Sequence, residues 1–156
     1  MILNRQRQVS ISVDDLEKFS AKLRKLLKIP AEAVTICLVT KGDIAKWNRA
    51  YRGKNRPTDV LSFTPDEPPA KQRVSRSSRK RALSQSHVDT SAYWGDIAIA
   101  PAIASQNARR LGRDLNHEMR ILILHGILHL MGYDHETDNG QMDRREMRLR
   151  RQLGLA

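Results

Sequence analysis

Residues 95–131 read GDIAIAPAIASQNARRLGRDLNHEMRILILHGILHLM. Gly95–Ala100 is a short apolar run of strand character, and Pro101 directly after it is well placed to open a helix, since the first helical position has no backbone donor to lose. Leu115–Met131 is so apolar that a helix formed there must be buried on most of its sides. A strand, a helix and a central buried helix in succession make this stretch the middle of an α/β domain.

The flanking sequence extends the pattern. Val9–Val13 alternates as a strand does, and Asp14–Lys28 sets Leu16, Phe19, Leu23, Leu26 and Leu27 at helical spacing before Pro30. Ala33–Thr40 is rich in β-branched residues and reads as a strand, Ile44–Tyr51 as a short helix, and Asp59–Thr64 as another strand. Gln141–Leu153 reads as a basic helix with Met142, Met147, Leu149 and Leu153 facing inward. The expected fold class is α/β (α+β): one compact domain over residues 1–156, with a mixed central sheet of about four strands covered by helices. Between residues 66 and 92 hydrophobic periodicity vanishes, and prolines, serines and basic residues dominate. A segment so polar buries too little to offset its ordering entropy, and it reads as a basic, mobile insertion.

The chain has 156 residues, one domain's worth. Cys37 is its single cysteine, which rules out an internal disulfide and fits a reducing compartment. No apolar run approaches the roughly 20 residues of a membrane span, and Met1–Ser10 lacks a signal-peptide pattern, so a cytoplasmic protein without a membrane role is expected. Lys plus Arg number 28 against 17 Asp plus Glu, a net charge of +11. Lys71–Arg81 carries six basic residues and no acid, and Arg144–Arg151 carries five arginines against Glu146, so nearly all the excess is local. Local positive charge attracts polyanions, nucleic acid first among them. With 4% aromatic residues, a stacking platform for single strands is not expected.

The chemistry concentrates in HGILHLMGYDH, residues 125–135. His125 and His129 are four residues apart, just over one helical turn, and so project from one face. Gly132 tolerates the left-handed backbone that ends helices, letting the chain reverse and bring His135 to the other two. Three neutral imidazoles on a tetrahedral zinc ion leave one position open, as catalytic sites require. The spacing is that of the metzincin proteases, H-E-x-x-H-x-x-G-x-x-H, but their glutamate base is replaced by Gly126. Asp134 is either a substitute acid or ligand-orienting group, or a plain turn residue. His87, in the insertion, and His117, near a helix start, read as structural.

A second cluster, YRGKNRPTDVLSF at residues 51–63, supplies Arg52, Lys54 and Arg56 ahead of a strand, with Thr58, Asp59 and Ser62 as hydrogen-bonding groups. Arginine's planar fork suits phosphate. If this strand borders the histidine helix, Arg52 reaches a phosphate held there; otherwise it is a surface ion-pair residue. Asp96 is either a strand-edge acid or an active-site one.

Asn48, YRGKNRPTDVLSF, GDIAIA and HGILHLMGYDH, in that order, resemble the YbeY family of bacterial endoribonucleases, also described as rRNA maturation factors. The resemblance implies that His125, His129 and His135 bind one zinc ion and that Arg52 is catalytically important. It also implies a cytoplasmic protein that matures the 3′ end of small-subunit ribosomal RNA, acts in ribosome quality control, and associates with the small ribosomal subunit and its assembly proteins. This chain departs from the family pattern in Thr64-Pro65-Asp66 after VLSF, in the long basic connection that follows, and in its arginine-rich last helix.

The expected activity is therefore that of a zinc-dependent endoribonuclease directed at single strands. Either metal-activated water or the substrate's own 2′-hydroxyl is the attacking group. A zinc peptidase lacking its glutamate base, and a non-enzymatic assembly factor with structural zinc, are the alternatives. If the basic windows carry RNA affinity, the logarithm of binding falls steeply with the logarithm of salt concentration, and deleting Lys71–Arg81 flattens that slope. A filter-binding salt series checks this; an unchanged slope would mean that the insertion does not touch RNA.

Overall fold

The computed structural model describes residues 1–53, 58–65 and 93–156. The basic insertion at 66–92, with its Lys71–Arg81 run and His87, and the Lys54 and Arg56 positions lie outside the described residues. The order of elements is β1 (Ile2–Asn4), α1 (Val13–Leu27), a 3-10 turn (Ala31–Ala33), β2 (Val34–Leu38), α2 (Lys41–Arg52), β3 (Val60–Phe63), β4 (Gly95–Ile99), α3 (Pro101–Leu111), α4 (Leu115–Leu130) and α5 (Gln141–Gln152). The strands form one mixed sheet in the order β1-β2-β4-β3. β1, β2 and β4 run parallel, and β3 pairs antiparallel with β4 at the far edge. The expected fold class holds.

One expected strand does not. Val9–Val13 forms no strand, and the short β1 takes its place in the sheet. The reason is local: the buried Gln6 side chain donates from Nε2 to the Val9 carbonyl (2.9 Å) and accepts the Val9 N–H at Oε1 (3.0 Å). Val9's backbone groups are thereby satisfied without a neighbouring strand, and α1 begins at Val13.

Three helices begin at signals that the sequence offers. Thr40 accepts from the Asp43 N–H at 3.1 Å to start α2, Asp114 accepts from the His117 N–H at 2.8 Å to start α4, and Pro101 opens α3. Leu26 and Met147, expected to face inward, are 43% and 44% exposed, since each falls just outside the buried stripe of its helix.

α4 is the centre of the molecule. Met119, Ile121, Leu122, Ile123, Leu124, Ile127 and Leu128 are all buried, in one core with Ile36, Leu38, Ile97 and Ile99 of the sheet and Leu16, Phe19 and Leu23 of α1. Each fully buried side chain of this size contributes about 1.5–3 kcal/mol. On the other face of the sheet, Ile44 of α2 packs with Leu61, Phe63 and Ala98, and Trp47 and Tyr51 flank them. No helix among the described residues is long and apolar enough to cross a membrane.

Helix and sheet meet most closely at Gly126. A Cβ placed there would lie 2.8 Å from Ile97 Cγ2 and 3.0 Å from its Cδ1, too close for ordinary contact. Gly126→Ala is expected to lower stability by about 1–2 kcal/mol, because overpacking costs more than the helix propensity alanine adds. Denaturant unfolding checks this; a stabilised variant would show that the Ile97 contact yields freely.

Candidate active site

His125 and His129 leave α4 on one side, next to β3. Ser62 on β3 donates from Oγ to the Gly126 carbonyl at 3.0 Å, fastening the edge strand to the helix. α4 ends in a turn in which the Gly132 N–H bonds the His129 carbonyl (3.0 Å) and the Tyr133 N–H bonds the Leu128 carbonyl (3.1 Å). That is the Schellman pattern, and Gly132 takes the left-handed backbone it needs, at φ 98°. The reversal carries His135 back onto the helix. Its ring centroid lies 5.4 Å from that of His125 and 5.1 Å from that of His129.

One ligand atom from each histidine can be chosen so that all three lie within 4.8 Å of one another. His125 Nε2 and His129 Nε2 are 3.1 Å apart. Nitrogens bound at about 2.0–2.1 Å to a tetrahedral zinc ion are separated by about 3.3 Å, so this pair stands within a few tenths of an ångström of a binding arrangement. The other ring nitrogens are engaged behind: His125 Nδ1 lies 3.1 Å from Glu146 Oε1, and His129 Nδ1 lies 3.0 Å from the Tyr133 carbonyl. Both acceptors call for an N–H at Nδ1, which leaves each Nε2 lone pair for an ion. The donor set fits a divalent metal.

The electrostatics agree. Burial, and then the neighbouring His125 and His135, hold His129 below the ordinary imidazole value, with Arg52 adding to the effect. His129 is therefore neutral at pH 7, the form that ligates. Burial alone would raise the Glu146 carboxyl, but the hydrogen bond from His125 and the Arg150 guanidinium outweigh it and keep the group below the usual glutamate range.

A cleft of about 200 Å³ opens over the histidines, lined by Arg52, Thr58, Asp59, Val60, Ser62 and Glu136 as well as the three rings. The strand that follows Arg52 thus does border the histidine helix, and Arg52 stands at the cleft rather than elsewhere on the surface. Asp59 is fixed by Asn107, whose Nδ2 donates to its Oδ2 at 3.1 Å.

Asp134 is not part of this lining. It is exposed, and its carboxylate accepts from the Glu136 N–H at 3.0 Å, inside the turn that carries His135. That bond, with a further one from Thr137, holds its carboxyl below the usual aspartate value. Asp96 belongs elsewhere too: it accepts from the Tyr93 hydroxyl and pairs across β2 with Thr35, whereas its neighbour Ile97 meets Gly126 on the core face. His117 has a structural contact, its Nε2 lying 3.1 Å from the Leu155 carbonyl. Position 126, where metzincin proteases place their base, faces Ile97 in the sheet rather than the cleft.

Sequence reasoning overlooked Glu146 and Glu136. Glu146 had a visible signal: it is an acid on the stripe between Met142 and Leu149 of an otherwise basic helix, where an apolar residue is expected.

A family model described as Endoribonuclease YbeY matches residues 1–154. The chain belongs to this family. Among its relatives, the Endoribonuclease YbeY of Koribacter versatilis is 37% identical over 155 residues, covering 99% of this chain and 86% of the relative. That of Solibacter usitatus is 34% identical over 140 residues, covering 90% and 78%. A Thermotoga maritima protein solved in solution is similar in structure, with a TM-score of 0.56 and 27% identity over 98% of this chain and 89% of the other. YbeY membership supports an RNA-cleaving, hydrolytic activity.

The turn makes its own prediction. Nothing lies within 4 Å of a Cβ placed on Gly132, so Gly132→Ala is expected to cost only the left-handed backbone strain, about 1–2 kcal/mol. Thermal unfolding of the metal-free protein checks this, and a loss near zero would mean that the turn adopts another backbone at no cost.

Proposed function

We propose that this chain is a zinc-dependent endoribonuclease that cuts single-stranded ribosomal RNA, maturing the 3′ end of the small-subunit RNA and acting in ribosome quality control in the cytoplasm. The observation that carries the reading is the meeting of Arg52 with three convergent imidazoles in one cleft. Family membership supports RNA as the substrate, and the net charge of +11 suits a polyanion. The ribosomal substrate, the small subunit and its assembly proteins as partners, and the compartment follow from the family resemblance.

His125, His129 and His135 would hold the ion. When bound, such an ion supplies Lewis acidity toward a phosphoryl oxygen and lowers the pKa of water. Arg52 binds the scissile phosphate and stabilises charge that develops on it. The cleft, at about 200 Å³, is smaller than typical pockets for drug-sized ligands, so it admits the reacting phosphodiester and leaves the flanking nucleotides outside. The basic stretches Lys71–Arg81 and Arg144–Arg151 would bind the flanking RNA without reading its sequence. Asp134 acts through the turn that presents His135.

Arg52→Ala is expected to lower cleavage of small-subunit precursor RNA by about 10²–10³-fold, as loss of one transition-state donor does, while leaving the fold intact because Arg52 is exposed. Chelation is expected to abolish cleavage and zinc to restore it. Full activity in the Arg52 variant, or in chelator-stripped protein, would overturn the reading. Product ends identify the attacking group: a 2′,3′-cyclic phosphate marks the substrate's 2′-hydroxyl, whereas 3′-hydroxyl and 5′-phosphate ends mark water.

A further inference from the structure

Glu146 sits on a helix that otherwise reads as basic surface, yet it is only 8% exposed. It lies on the inward side of α5, along with the buried Met142 and Leu149. Burying a carboxylate there is costly unless its oxygens are satisfied. Both are: Oε1 lies 3.1 Å from His125 Nδ1, and Oε2 accepts from the Arg150 guanidinium, also at 3.1 Å. Arg150 follows by one helical turn, so the pair is built into α5 itself.

An ionised carboxylate only accepts hydrogen bonds, so Nδ1 of His125 carries the hydrogen and Nε2 offers its lone pair toward His129 Nε2. The three histidines are not supported alike. His129 leans on the Tyr133 carbonyl, whereas His135 has no hydrogen-bond partner at its ring nitrogens among the described residues. α5 and the residues after it are tied to α4 independently of this bond: Met142, Leu149 and Leu155 share its core, and the Leu155 carbonyl lies at His117. Loss of the Glu146 contact alone would therefore leave the helix seated.

We infer that Glu146, held in place by Arg150, is a positioning residue that fixes the tautomer and orientation of His125 for a metal ion, so that the C-terminal helix is part of the metal centre. The inference rests on the reading of the three histidines as metal ligands. Removal of such an outer partner lowers metal affinity by about 10–100-fold.

The test uses the full chain, with zinc affinity read by competition with a chromophoric chelator and site geometry by the visible absorption of bound cobalt(II). Glu146→Leu keeps the volume and removes the acceptor; its zinc affinity is expected to fall 10–100-fold, with an altered cobalt spectrum. Glu146→Gln keeps an acceptor oxygen and is expected to recover affinity to within a few-fold of the parent. Glu146→Leu binding within about threefold of the parent would overturn the inference. Should that variant fail to fold, Arg150→Met removes the clamp without touching the carboxylate. A several-fold loss is then expected, and unchanged affinity would overturn the inference. If the parent chain takes up neither zinc nor cobalt, the histidine reading itself fails, whatever the variants do.

Discussion

The contact between Gly126 and Ile97 fixes the rotation of the central helix, and most of the candidate site follows from it. A helix wrapped in apolar neighbours has few features to define which way round it sits. Here the missing Cβ lets the backbone of α4 settle onto β4 with Gly126 against Ile97. His125 and His129 are then turned toward the edge strand, and Ser62 fastens that strand to the Gly126 carbonyl. Arg52 reaches the same cleft at the end of α2, packed on the opposite face of the sheet. Two layers of structure thus converge at one sheet edge.

The same residue separates this site from the peptidases whose histidine spacing it shares. Their glutamate follows the first histidine and serves as the base. In this fold that position points into the sheet, where even a methyl group meets Ile97 at less than ordinary contact distance. The spacing of the histidines therefore brings three imidazoles into an arrangement compatible with a metal ion and says nothing of the reaction.

Local signals in the sequence were readable and tertiary ones were not. The helices follow from apolar spacing and from Pro101, and the histidine group from eleven consecutive residues in which helix pitch and one glycine determine the geometry. The Val9–Val13 alternation misleads because it cannot show that the Gln6 side chain already occupies the Val9 backbone groups. Strand β1 spans three residues, too few for any alternation to register. Arg52 was recognisable as a phosphate-binding type, yet its arrival at the histidines depends on the packing of α2 and β3. Glu146 was counted only as one acid among arginines, because its partner lies on another helix.

The turn after α4 has a consequence for how the site tolerates change. The group behind His129 is a main-chain carbonyl, contributed by Tyr133 in the reversal that Gly132 permits. No substitution at position 133 can delete that oxygen, whereas the acceptor behind His125 is a side chain that a single codon change removes. Genetic drift can thus reach one imidazole of the pair through its backing and the other only by rebuilding the bend. The two rings, alike in chemistry, differ in how exposed their support is to mutation.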